Sequence, residues 1–153
     1  MNYTSLKKIG YLFGNSFSAD NLFGAAAPEV RRSLAKATRT EKYASGTVIC
    51  AAGAPPAGIY ILRGGEAELK INDDQIQGAW LLDRDEIVGL TETLVFLPSE
   101  AEVRTLTPCT IDSIDKEDFL ALLESDPQLC FRLVQMLAAN LQKTYRHWRA
   151  QSV

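Results

Sequence analysis

Cys50, Cys109 and Cys130 carry the softest donor atoms of this chain, and His147 is its one imidazole. Chemistry on such groups needs clustering: a Cys-x-x-Cys pair for redox work, four close ligands for zinc, or a nucleophile beside its base. The three cysteines are far apart in sequence, none belongs to a Cys-x-x-Cys pair, and one histidine completes no ligand set. Free cysteine is most often a small buried hydrophobe, and that is how all three are read. No nucleophile–base pair and no Gly-rich phosphate loop between a strand and a helix is present. The chain is therefore expected not to be an enzyme, and to carry no metal or other cofactor.

The charge balance narrows the partners. Sixteen Lys and Arg against nineteen Asp and Glu leave a net charge of −3. Binding to a phosphate backbone needs a surplus of cations, so direct nucleic-acid binding is not expected. The basic tail, Lys143, Arg146, His147 and Arg149, reads as a solvated helix end whose cations complement the helix dipole. No window of about 18 apolar residues could cross a membrane. Residues 1–13 lack the apolar centre and cleavage site of a signal peptide, so a cytoplasmic protein without membrane contact is expected.

The elements that must position any site follow from texture and spacing. The 153 residues, nearly half of them apolar, suit one domain with a real core. Residues 1–21 read as an N-terminal extension, with Ser16, Ser18, Asp20 and Asn21 marking a loop. Pro28 and Glu29 open a helix over 28–38, with Val30, Leu34 and Ala37 on one face. From Glu41, short Val-, Ile- and Leu-rich runs alternate with Gly, Pro and Asp turns. They comprise 47–49, 59–62, 67–71, a hairpin turn at 72–74, a returning strand from Ile76 to Leu82, then runs around 103–106 and 109–114. Such spacing predicts an antiparallel β-barrel or sandwich. A short helix is expected at 116–124. Asp126 as cap and Pro127 then start a long helix to Arg149.

The order of these pieces resembles the effector domain of Crp/Fnr regulators and other cyclic-nucleotide-binding domains. The likeness runs from about Leu22 to Trp148. It rests on Tyr43-x-x-Gly46-x-Val48-Ile49, Gly53, Gly58-Ile59-Tyr60-Ile61-Leu62-Arg63-Gly64-Gly65-x-Ala67-x-Leu69, Glu86-Ile87-Val88-Gly89-Leu90, Thr105-x-Thr107-x-Cys109-x-Ile111-x-x-Ile114 and Phe119. The resemblance implies a mainly β, α+β fold. It is a double-stranded β-helix, or antiparallel β-roll, over 22–125, with an N-terminal helix and a C-terminal dimerisation helix over 126–153.

The resemblance also implies a phosphate-binding cassette, a short helix and loop in which Glu follows Gly and, about ten residues later, Arg precedes Ser or Thr and Ala. Gly89 and Ala101 fit that pattern. Leu90 stands where the ribose-binding Glu belongs, Ser99 where the phosphate-binding Arg belongs, and Glu100 where Ser or Thr belongs. No Lys or Arg lies between Asp85 and Val103. A charge-assisted bond is worth roughly 1.5–3 kcal/mol, and a like charge beside phosphate costs more. The degenerate cassette is Val88, Gly89, Leu90, Thr91, Glu92, Ser99, Glu100 and Ala101, with Glu92 able to shift into the ribose role. Its pocket, lined by Val88, Leu90, Leu94 and Phe96, suits a neutral or apolar molecule, or is filled by those side chains.

On the last helix, Cys130, Val134, Leu137, Leu141, Tyr145 and Trp148 form one apolar stripe. Leu129, Leu133 and Met136 form a second, shorter one. The second is expected to pack on the barrel and the first on a parallel partner helix, giving a homodimer. The function expected is that of a regulatory domain sensing an unidentified small-molecule effector rather than cAMP. Two alternatives stay open: the sensor half of a Crp/Fnr transcription regulator whose DNA-binding domain is missing, and a ligand-free dimerisation module.

Overall fold

The computed structural model describes residues 17–72 and 77–151, with the side chains at 72, 77, 147, 148 and 151 outside the description. Asp73 and Asp74 of the expected hairpin turn and the strand start at Ile76 therefore fall outside the described residues, as do residues 1–16 of the N-terminal extension, whereas Asn72 is the last residue of a strand. Helix α1 (Ala19–Phe23) occupies the segment read as a loop. The Ser18 hydroxyl oxygen accepts from the amide of Asn21 at 3.1 Å, so the polar run is a helix cap. Ser and Asp favour helix starts and loops for the same reason, a side-chain bond to nearby backbone. Phe17, Ala19 and Leu22 are buried in the main core, which takes in residues on both sides of position 22. Helix α2 (Pro28–Ala37) opens on its proline and leans Val30, Leu34 and Ala37 on that core.

Eight strands follow: β1 (Thr38–Tyr43), β2 (Val48–Cys50), β3 (Gly58–Gly64), β4 (Ala67–Asn72), β5 (Gln77–Leu81), β6 (Ile87–Val88), β7 (Ala101–Thr105) and β8 (Cys109–Asp115). They form two antiparallel sheets, ordered β1-β8-β3-β6 and β2-β7-β4-β5. Helix α3 (Leu90–Val95) lies between β6 and β7. Helices α4 (Lys116–Ser125) and α5 (Pro127–Gln151) close the chain of elements. The carboxylate of Asp126 accepts from the amide of Gln128 at 3.0 Å, which caps α5 as its sequence predicts. No helix among the described residues is long and apolar enough to cross a membrane.

The side-chain alternation of β3 divides the interior. Ile59 and Ile61 face the main cluster with Phe119, Leu122, Leu129 and Leu133 from α4 and α5. Leu62, on the other face, joins Ala67, Cys109 and Ile111 in a smaller cluster, with Tyr60 packed against it. Most apolar mass thus lies between the first sheet and the helices. The smaller cluster leaves space near α3 unfilled.

Helix α5 sorts its stripes differently from the sequence reading. Leu129 and Leu133 are buried and Met136 packs on the core, as expected, but Leu137 packs there too. Phe131, Val134, Leu141 and Tyr145 are more than half exposed, and Ala138 is exposed as well. These five recur at spacings of three and four, the seam of a coiled coil. Cys130 is exposed beside them, and the Trp148 side chain lies outside the described residues.

Candidate functional site

The cassette begins at Gly89, which takes φ +83° just before α3. A Cβ there would lie 2.5 Å from the carbonyl oxygen of Gly58, so both the dihedral and the close approach demand glycine. The chain then turns through α3, whose far end is Phe96 at φ +59°. It returns through Pro98 and Ser99 into β7.

Two neighbouring cavities flank this loop, of about 310 Å³ and about 490 Å³. Leu69, Val88, Gly89, Glu92 and Ala101 line both. The smaller one runs under the segment from Cys50 to Gly58 and against Tyr60 and Ser99. The larger one opens between β4–β5, the α3 loop and α5, with Ile71, Trp80, Leu97 and Asn140 among its walls. Among the described residues lining either cavity there is no Lys, Arg or His. Carboxylates line them instead: Glu92 in both, Glu86 and Glu100 in the larger.

The positions expected to depart from the cassette pattern lie as follows. Leu90 lines the larger cavity, yet it is only 2% exposed and belongs to the main core. Thr91 is exposed, and its hydroxyl donates to the carboxylate of Glu92 at 3.1 Å. Ser99 has its hydroxyl engaged locally, donating to the carbonyl of Ala101 at 2.8 Å and accepting from the amide of Ala101 at 3.2 Å. Its backbone carbonyl accepts from the amide of Gly53 at 2.7 Å, which pins the 50s loop over the smaller cavity. Glu100 is exposed at the rim of the larger one.

Two expected walls are corrected. Leu94 packs against the main core and lines neither cavity. Phe96 is 59% exposed, with the Lys116 ammonium 5.6 Å from its ring centre. On α3, Leu94 turns to the core and away from the cavities, Leu90 at the helix start touches both the core and the larger cavity, and Glu92 and Val95 take the cavity side. Val88 and Leu90 line the larger cavity as expected, and its further apolar walls come from Leu69, Ile71, Trp80, Leu82, Val95 and Leu97; neither Trp80 nor Asn140 is among the residues expected at the site. The readable signals are an indole in a returning strand and one polar residue on the α5 face that carries Leu133 and Met136.

The cysteine reading is also corrected. Cys109 is buried as expected, Cys50 is half-buried in the wall of the smaller cavity, and Cys130 is exposed. Burial, with the Glu92 carboxylate nearby, pushes the Cys50 thiol up to about 12, so it stays protonated at neutral pH. Glu86 is 4% exposed, and burial pushes its carboxyl up to about 7 although the amide of Asp83 donates to it at 2.9 Å. Among the described residues no group of three or more His, Cys, Asp or Glu could hold a metal ion.

Comparison with known proteins places the fold. The family model of the cyclic nucleotide-binding domain matches residues 40–126, from β1 to the end of α4. The potassium voltage-gated channel unc-103 of Caenorhabditis elegans is 27% identical over 137 residues, 88% of this chain and 16% of the channel. The catabolite activator protein of Thermus thermophilus superposes with a TM-score of 0.75 at 21% identity, over 86% of this chain and 63% of that one. The sensor domain of the transcriptional regulator DNR from Pseudomonas aeruginosa does so with a TM-score of 0.69 at 15% identity, over 79% and 87% of the two chains. This chain thus spans a small part of the channel and under two thirds of the activator. The family match over the two sheets and the cassette establishes that the chain belongs to the cyclic nucleotide-binding domain family.

Proposed function

We propose that this chain is a regulatory, ligand-sensing domain that has lost the cyclic-nucleotide anchors and reports on a different small molecule. The observation that carries this reading is the absence of any cation lining the two cavities, where acids stand instead, among the described residues. Ser99 supports it, because its hydroxyl is engaged by Ala101 and offers an incoming phosphate no charge. The reading includes no enzymatic activity and no direct nucleic-acid contact by this chain, and takes it to work in the cytoplasm. The exposed Phe131–Tyr145 seam of α5 supports a parallel homodimer through which occupancy would be transmitted.

Thermal unfolding in the presence of cAMP and of cGMP tests the reading. A ligand held at about a thousand times its dissociation constant adds roughly 4 kcal/mol to stability, an obvious rise in melting temperature. At millimolar nucleotide no rise is expected. A clear rise with either nucleotide would contradict the proposal.

A second reading places this domain as the sensor half of a transcription regulator. It is favoured by the likeness to the activator protein and to the regulator's sensor domain. The natural reading frame decides it, by encoding or not encoding a helix-turn-helix segment after α5. The ligand-free dimerisation reading is separated by native mass spectrometry, where a bound small molecule would exclude it.

A further inference from the structure

We propose that the larger cavity takes an amphipathic organic cation, an amine carried on an apolar or aromatic body. This rests on the ligand-sensing reading above and names its ligand class. Three features of the cavity combine. Its charged lining, among the described residues, is Glu86, Glu92 and Glu100, with no base to neutralise them. Its body is apolar and includes the indole of Trp80, the aromatic surface that attracts cations most strongly. Two of its wall residues hold buried polar atoms without a hydrogen-bond partner among the described residues, the Nε1–H of Trp80 and the Oδ1 of Asn140.

Each feature disfavours a different alternative. The three carboxylates repel an anion, so the family's own ligand chemistry is reversed. A purely apolar molecule would leave the Glu86 carboxyl with no partner among the described residues beyond the Asp83 amide. Burial raises the Glu86 carboxyl to about 7, so its ionised form is held at a cost that a bound ammonium would relieve. Unpartnered buried polar atoms are rare in native structures, and two on one cavity wall mark a place where a donor and an acceptor are wanting. A volume of about 490 Å³ falls in the range of small-molecule sites.

The test uses three probes with one ring system and different charge: naphthylmethylamine, naphthylmethanol and naphthylacetate. Each is titrated into the full chain at neutral pH, and binding is followed by the Trp80 indole N–H resonance, assigned with Trp80→Phe. The amine is expected to bind at least about tenfold tighter than the alcohol, and the acetate weakest of the three. Glu86→Gln with Glu92→Gln should remove the preference for the amine and leave the alcohol unchanged. If that pair fails to fold, Glu92→Gln with the exposed Glu100→Gln should still reduce it. Equal affinity for amine and alcohol would overturn the cation proposal while leaving a ligand cavity in place. Tighter binding of the acetate, or no shift with the amine at millimolar concentration, would overturn it outright. Micromolar binding of cAMP would instead remove the ligand-sensing reading beneath it.

Discussion

The hydroxyl of Ser99 donates to the carbonyl of Ala101 at 2.8 Å, closing the entry to β7 on itself. In a nucleotide-binding cassette this position would project a guanidinium toward phosphate. Here a short side chain completes a turn, and the loop is fastened by Gly53 donating to the Ser99 carbonyl at 2.7 Å. In the proposed reading the missing anchor is matched by this local hydrogen bonding as well as by residue type. Replacing Ser99 with Arg and Glu100 with Ser should restore a clamp and give weak, salt-sensitive cAMP binding. Calorimetry at low and high salt checks it. A salt-independent affinity would mean that the arginine does not meet the phosphate.

Leu90 resists the matching repair. It is in the same buried cluster as Ile59 and Ile87, so Leu90→Glu places a carboxyl in apolar surroundings. The loss of stability at neutral pH should be roughly 3 kcal/mol or more. It should shrink at pH 5, where a carboxyl raised by burial is protonated. Urea unfolding at the two pH values measures both. A substitution that leaves stability unchanged would mean that position 90 faces water.

Dimerisation is best tested at Val134 and Leu141. Both are more than half exposed and lie on the Phe131–Tyr145 seam, whereas Leu137 packs on its own core. Val134→Glu with Leu141→Glu would bury four carboxylates in a parallel dimer, several kcal/mol each before relaxation. Light scattering should find a dimer for the natural chain and a folded monomer for the double variant. A dimeric variant would place the interface elsewhere.

Glu86 couples stability to pH. Its folded-state value is about 7 and its ordinary value is 4.5, so between these the folded protein holds a proton that the unfolded chain has lost. Stability from this group is present below about 4.5 and falls as pH rises through 7. Glu86→Gln should flatten that slope and raise stability above pH 7 by roughly 1–3 kcal/mol, since each tenfold change in proton affinity is worth about 1.4 kcal/mol. Chemical unfolding from pH 5 to pH 8 reads it. An identical slope in the variant would show that Glu86 is already ionised when buried.

The thiols should separate by rate. Cys130 is exposed, Cys109 is buried, and Cys50 is held protonated with a value near 12. An aromatic disulfide reagent at pH 8 should label one thiol quickly and the other two slowly. The fast thiol should vanish in Cys130→Ser. Fast labelling of Cys50 would mean that its cavity wall opens readily.

Much of the fold can be read from spacing, because strands buried on alternating faces and capped helices leave periodic traces. Residues 59–62, Ala67-x-Leu69-x-Ile71, Pro28 and Asp126 carry those traces, and β3, β4, α2 and α5 lie where they predict. The failures have physical causes. β1 begins at Thr38 and shows no alternation, since four of its six residues are exposed and it is held by pairing with β8. α1 is hidden because Ser18 and Asp20 suit a helix start as well as a loop. Gly89 and Ala101 mark the loop, and Val88, Leu90, Val95 and Leu97 within it supply much of the larger cavity's apolar wall, which Leu69, Ile71, Trp80 and Leu82 complete from the side of β4 and β5. Trp80 and Asn140 reach the cavity through tertiary packing, and Leu137 turns toward the core where the helix crosses it. None of that is written in neighbouring residues.

The proposed function stands or falls on whether a cyclic nucleotide still binds at the cassette. Titration calorimetry of the full chain with cAMP, repeated with cGMP, tests it most directly. No saturable heat is expected up to about 1 mM nucleotide, corresponding to less than about 4 kcal/mol of binding free energy. A saturable isotherm with a micromolar dissociation constant for either nucleotide would contradict it.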